Sequence, residues 1–161
     1  IFLAWNYFML SFSSMAEALE LDNSFGTGGK VSTNIGGVDN ATRVIVQDNG
    51  KILVAGISDN NWTLARYNSN GTLDTSFDGD GKVTTDLGST DVAWFVGIQD
   101  DGKIVLPGVS GTDFALARYD STGTLDGDFG TGGLVTTDFH PNPFFTSNDY
   151  GLTGAIQSDG K

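Results

Sequence analysis

The densest group of side chains able to do chemistry is the stretch DTSFDGDG at residues 74–81. Its carboxylates, Asp74, Asp78 and Asp80, alternate with glycine and small polar residues, and such oxygen ligands suit a hard cation such as Ca²⁺. The spacing is not that of an EF-hand loop. We predict a solvated tight turn first and a Ca²⁺ site second, with no other cofactor, because the corresponding places elsewhere in the chain carry glycines: Gly26, Gly28, Gly130 and Gly132.

The chain offers few residues for catalysis. His140 is its single histidine, it has no cysteine, and no G-x-S-x-G or paired-Glu signature occurs. The glycine run at Gly26–Gly29 could suggest a phosphate cradle, but strand-like residues follow it where a cradle needs a helix. We therefore predict no catalytic residue and no enzyme.

Two adjacent aromatic residues are the better candidates for contact with a partner. Trp94 and Phe95 stand where Thr42 and Arg43 stand 52 residues earlier, so they serve one part of the chain only. An exposed aromatic pair suits a protein or glycan surface, whereas core packing is the alternative.

The elements that position these residues come from a tandem repeat. VQDNGKILVAG at residues 46–56 returns as IQDDGKIVLPG at 98–108 and begins again as IQSDGK at 156–161. In the first two copies Gly50 and Gly102 lie in polar turns between apolar runs, which predicts β-hairpins because glycine reaches positive φ without a steric clash. The period is 52 residues, since Leu-Asp-x-x-Phe starts at residues 21, 73 and 125.

One copy contains four strand-like runs separated by short turns: Lys82–Leu87, Val92–Gln99, Lys103–Val109 and Phe114–Asp120. Repeated units of this size predict an all-β, β-propeller-like fold of four-stranded antiparallel blades, each of about 52 residues. The chain would hold two full blades and part of a third, with blade junctions near residues 30, 82 and 134. Pro107 replaces Ala55 of the first copy and should cost a ladder bond unless it lies at a bulge or an edge.

Recurring charges indicate structural roles. Seven of the eight basic residues occupy repeat-equivalent positions, and only Arg43 does not. We predict that Arg66 and Arg118 are buried and that each forms a bidentate, fork-like ion pair with a carboxylate such as that of Asp74 or Asp126.

The net charge and the amino terminus bear on partners and location. A formal charge of −12 disfavours nucleic-acid and membrane-surface partners. The apolar run at residues 1–12, followed by Ala16-Glu17-Ala18, predicts that residues 1–18 are the remnant of a signal peptide and that the repeat region spans residues 19–161. A buried first helix is the alternative. Export to the cell envelope or the medium, without membrane insertion of the mature chain, follows from the first interpretation.

These motifs together, L-D-x-S-F with G-T-G-G-K-V, V-Q-D-x-G-K-I-L-V-A-G and A-L-A-R-Y-x-x-x-G-T-L-D, resemble the delta-60 repeat family of bacterial exported proteins. The resemblance implies a propeller-like fold, secretion or surface display, and further blades in a larger parent chain. We expect a binding or display scaffold for a protein or glycan partner. Two alternatives are a cation-dependent, lactonase-like hydrolase or lyase with ligands from several blades, and a structural spacer in a large adhesin.

Overall fold

A computed structural model describes residues 20–139, 149–158 and 160. The predicted signal peptide and the region around His140 lie outside these residues. Within the described part the chain forms β-strands and no α-helix, and nothing there resembles a bilayer-spanning helix. The strands are β1 (Asp39–Val46), β2 (Ile52–Ser58), β3 (Asn61–Tyr67), β4 (Lys82–Thr85), β5 (Asp91–Ala93), β6 (Gly97–Ile98), β7 (Ile104–Ser110), β8 (Asp113–Tyr119) and β9 (Leu134–Thr137).

The first sheet is an antiparallel meander with the strand order β1-β2-β3-β4. The turn between β1 and β2 is the repeated polar turn, in which Gly50 has a φ of 78° and donates its N–H to the Gln47 carbonyl at 2.8 Å. Gly102 has a φ of 82° in the second copy. Glycine adopts this left-handed conformation without a Cβ clash, so both turns stay tight.

The second sheet repeats the meander, but two short strands replace the long first one. Its path is β5-β7-β8-β9, and β6 also pairs with β7. In the first sheet Arg43 pairs with Ala55; at the equivalent place Pro107 has no N–H to offer, and the strand is interrupted between Ala93 and Gly97. The Trp94 N–H still reaches the Pro107 carbonyl at 3.2 Å. Pro107 thus lies at an interruption of the ladder, which is where proline is tolerated.

The predicted grouping of strands within a copy is wrong in one respect. The run that starts at Lys82 is predicted to belong with the three runs after it, whereas β4 pairs with β3, with Leu64 opposite Val83. The chain passes to the next sheet between Thr85 and Asp91. A repeat fixes the period but not the residue at which each unit begins. The same sequence can therefore be divided into four-stranded units in more than one way. The all-β class and the four-stranded antiparallel unit are confirmed.

The hydrophobic core lies between the two sheets. Trp62 is its largest side chain, is 0% exposed, and donates its indole Nε1–H to the Val109 carbonyl at 3.2 Å. The Tyr119 hydroxyl lies 2.7 Å from the hydroxyl of Thr85 on the other sheet, and burial raises the pKa of Tyr119 to about 12. Each sheet therefore shields one face of its neighbour. The buried cluster comprises Leu53, Ala55, Trp62, Leu64, Phe77, Val83, Ala93, Val96, Ile104, Leu106, Ala115, Ala117 and Tyr119.

Candidate functional site

The strongest electrostatic feature is a buried cluster around Asp74. One of its carboxylate oxygens accepts hydrogen bonds from Arg66 Nε and Lys51 Nζ, both at 2.6 Å. The side chains of Arg66 and Asp74 are 8% and 7% exposed. The other oxygen accepts the Ser76 hydroxyl at 2.7 Å. The predicted pair of Arg66 and Asp74 is present, but only the Nε atom of Arg66 contacts the carboxylate, so the ion pair is not bidentate.

The rest of the Arg66 guanidinium connects the two sheets. Its Nη1 donates to the Ser121 carbonyl of the second copy at 2.6 Å, and its carbon lies 4.4 Å from the centre of the Phe77 ring. The hydrogen bonds, the ion pair and the stacking contact offset part of the free energy that it costs to remove the guanidinium from water. The contact is a structural joint between repeats. Ser121 could not be found from the sequence, because it contributes only its main-chain carbonyl to this contact.

The pKa of Asp74 reflects opposing effects. Burial alone would raise it, but hydrogen bonds from Lys51, Ser76 and Arg66 outweigh burial and hold the pKa of Asp74 well below its ordinary value. The folded state therefore releases this proton more readily than the unfolded chain does. Lys51 was not among the predicted partners of this carboxylate, although the recurrence of Lys51 and Lys103 at equivalent positions could have indicated it.

This lowered pKa predicts how stability depends on pH. Because the carboxylate form is favoured in the folded state, its contribution is complete above the ordinary Asp pKa and is lost as the pH falls below about 4. Urea denaturation of the wild type and Asp74→Asn should show a large difference in unfolding free energy at neutral pH that shrinks towards about pH 2. A difference that stays constant over this range would contradict the assignment.

The second copy builds a looser version of the cluster. Arg118 Nε lies 2.8 Å from Asp126, while Lys103 Nζ is 3.6 Å from Asp126 and is shared with Asp101 at 3.1 Å. Asp128 replaces the serine of the first copy, so the hydroxyl donor is missing. The Arg118 and Asp126 side chains are 20% and 11% exposed. The predicted pair is thus in contact here too, and it is more exposed than the pair in the first copy.

The structure does not bring the three proposed Ca²⁺ ligands together. Asp74 is bound by Lys51 and Arg66, and Asp80 lies 3.5 Å from Lys82. Asp78 occupies a left-handed turn position with a φ of 51°. Across the part of the chain that the structure describes, no three His, Asp or Glu side chains are grouped closely enough to hold a metal ion. The stretch at residues 74–81 forms a turn, in which Asp74 and Asp80 are paired to neighbouring cations.

Trp94 and Phe95 differ in exposure. Trp94 is 37% exposed, whereas Phe95 is half-buried, with the Arg43 guanidinium 5.6 Å from its ring centre. Phe95 also packs close to Gly154 of the third copy. Trp94 is therefore the more exposed of the two aromatic residues. Phe95 forms part of the wall of an adjacent cavity of about 390 Å³, whose other walls include Pro107, Phe114, Leu116, Arg118 and Phe129.

Comparison with known proteins agrees with this architecture. A family model described as "Domain of unknown function (DUF5122) beta-propeller" matches residues 47–77 and 99–129. Each match begins at the repeated polar turn and ends at the phenylalanine beside the Arg–Asp pair. A comparison with curated proteins finds no match. The two matched segments and the two antiparallel sheets together show a repeat of β-propeller type, similar to a domain of unknown function.

Proposed function

We propose that this protein is a non-catalytic binding scaffold, exported or displayed at the cell surface, whose repeats are of the delta-60 type and present contact residues to a protein or glycan. The observation that carries the proposal is the exposure of Trp94, which lies in the interruption of the second sheet at the position that Thr42 holds in the first. Large exposed aromatic rings are costly in water and are enriched where proteins bind partners.

Comparison of the two copies supports a specific role for Trp94. Its counterpart Thr42 is half-buried and donates its hydroxyl to the Ala93 carbonyl at 2.7 Å, so in the first copy this position joins the sheets. Tryptophan at the equivalent position has no hydroxyl to make this hydrogen bond and instead exposes an aromatic side chain. Beneath it, Phe95 is held by Arg43 and by the third copy, so the base of the surface is packed. A packed base lowers the entropic cost of binding.

The charge of the protein narrows the class of partner. A formal charge of −12 repels polyanions and favours neutral or cationic surfaces, such as an uncharged glycan or a basic protein face. An indole ring stacks well on the apolar face of a sugar or on an aliphatic protein patch. These properties favour recognition by stacking over recognition by ion pairs.

The proposal predicts that Trp94→Ala weakens binding strongly. On a glycan array and on whole cells, the variant should lose at least about tenfold in affinity, as expected for a central aromatic contact. Val38→Ala removes an apolar side chain of the first copy that is 78% exposed, more than Trp94, and is the control. Urea denaturation should show that both variants stay folded. Binding by Trp94→Ala at wild-type strength would eliminate this contact surface.

A further inference from the structure

The first polar turn contains an asparagine where the second copy has an aspartate. Residues 47–52 read QDNGKI and residues 99–104 read QDDGKI, so the exchange of Asn49 for Asp101 is the only difference between the two turns. In both turns the glycine N–H donates at 2.8 Å to the carbonyl three residues earlier. The second copy therefore shows the structure that the first would have with an aspartate at position 49.

An asparagine that precedes a glycine can convert itself to aspartate. The Gly50 main-chain nitrogen attacks Cγ of Asn49, the Cγ–Nδ2 bond breaks, and the Gly50 amide proton leaves with the side-chain nitrogen as ammonia. Water then opens the cyclic imide at either carbonyl and leaves aspartate or isoaspartate. Glycine permits the approach because it has no Cβ to obstruct it. The chain has two such pairs, Asn49–Gly50 and Asn70–Gly71.

The surroundings of the first pair favour this reaction. Asn49 is exposed, and a Cβ atom placed on Gly50 would come no closer than 3.8 Å to its nearest neighbour, Ser69 Cβ. Ring closure requires the peptide group to rotate and the Gly50 N–H to leave the Gln47 carbonyl. The Lys51 N–H donates to Oδ1 of Asn49 at 3.0 Å and can stabilise the negative charge on this oxygen when Cγ is attacked. Opening of one exposed turn therefore brings the reacting atoms together.

The second pair is held in place by its neighbours. Gly71 is buried, and a Cβ atom placed on it would lie 2.7 Å from Val31 Cγ2 and 3.2 Å from Phe25 Cε2. The Asn70 carbonyl, which must turn with the peptide group, accepts the Gly26 N–H at 2.9 Å. Rotation here would break an additional hydrogen bond and move packed apolar side chains. The fold thus distinguishes two pairs that have the same covalent chemistry.

The second copy also shows what a carboxylate in this turn does to the neighbouring lysine. Lys103 Nζ lies 3.1 Å from Asp101 and 3.6 Å from Asp126, so two carboxylates share the ammonium group. The Lys103 main-chain N–H donates to Asp101 at 3.1 Å, so the turn itself is kept. In the first copy, by contrast, Lys51 Nζ lies 2.6 Å from Asp74.

We propose that Asn49 is a site of spontaneous deamidation and that the carboxylate formed there draws Lys51 partly away from Asp74. Conversion to aspartate gives the first turn the sequence of the second, in which the lysine is shared between two carboxylates. The buried cluster around Asp74 then loses part of one of its hydrogen bonds. An exposed turn is in this way linked to the charge cluster that joins the two sheets. The inference does not depend on the Trp94 surface.

The site is tested by incubating the full chain in mildly alkaline buffer, since the amide nitrogen attacks after losing its proton. Peptide mapping by mass spectrometry should find aspartate and isoaspartate at position 49. Relative to their rates in urea, Asn49 should react at least about tenfold faster than Asn70 in the folded protein, because the second pair must break an additional hydrogen bond. Equal relative rates, or aspartate without isoaspartate, would overturn the proposed site.

The effect on the lysine is tested with two variants. Asn49→Asp supplies the aspartate product in pure form, and Asn49→Gln keeps an amide and is the matched control. In nuclear magnetic resonance spectra of the lysine ammonium groups, the Lys51 resonance should move towards that of Lys103 in Asn49→Asp and stay in place in Asn49→Gln. A Lys51 resonance that is the same in both variants would exclude its transfer to the new carboxylate.

Discussion

Asp74→Ala should lower the free energy of unfolding by about 3 to 5 kcal/mol, because it leaves Arg66 buried without its carboxylate. The guanidinium would keep its contacts with Phe77 and the Ser121 carbonyl, which hold it in place and prevent it from turning to solvent. Lys51 would lose the same partner but can reach water, since its side chain is 28% exposed. Urea denaturation at neutral pH measures the effect.

The repeat supplies a matched control at Asp126. Asp126→Ala removes the equivalent carboxylate from a pair that is more exposed and has a longer lysine contact, so its loss of unfolding free energy should be clearly smaller than that of Asp74→Ala. The ratio of the two losses is informative because the partners have the same chemistry and differ in burial. If the two variants were equally destabilised, burial of the Arg66 pair could not be the source of the larger effect.

Trp62→Ala should cost about 3 to 5 kcal/mol, the range for truncating a fully buried large aromatic side chain. The substitution would leave a cavity between the two sheets and remove the donor to the Val109 carbonyl. Because Trp62 belongs to one sheet and packs on the other, the loss should affect the unfolding of both repeats together. Equilibrium unfolding followed by far-ultraviolet circular dichroism measures it.

Trp62→Phe and Phe114→Ala are the controls for this prediction. Trp62→Phe installs the residue that the second copy has at the equivalent place, so most of the apolar contact should survive and the loss should be about 1 to 2 kcal/mol. Phe114 is half-buried, so Phe114→Ala should cost less than Trp62→Ala. A Phe114→Ala loss as large as that of Trp62→Ala would show that the sheet-to-sheet joint is not the main source of stability.

The period of the sequence already determined the architecture of the unit. Alternating apolar runs and positive-φ glycines at Gly50 and Gly102 leave few structures other than short antiparallel meanders. The partnership of Arg66 with Asp74 could also be anticipated, since both recur in one register and a buried guanidinium needs an anion. Pro107 indicated an interrupted ladder because a missing N–H is a covalent property of the residue.

Only the tertiary structure decided which strands form one sheet, how far each candidate side chain is buried, and which residues connect the copies. The pairing of β4 with β3 depends on which strand edge is free after the chain has turned. The period of the sequence does not indicate which edge that is. Whether Trp94 or Phe95 faces solvent depends on the local course of the broken strand and on the third copy packing against Phe95. The Arg66 side chain donates to the main-chain carbonyl of Ser121, 55 residues away in the sequence. Every residue has a main-chain carbonyl, so the sequence does not indicate which one accepts this bond.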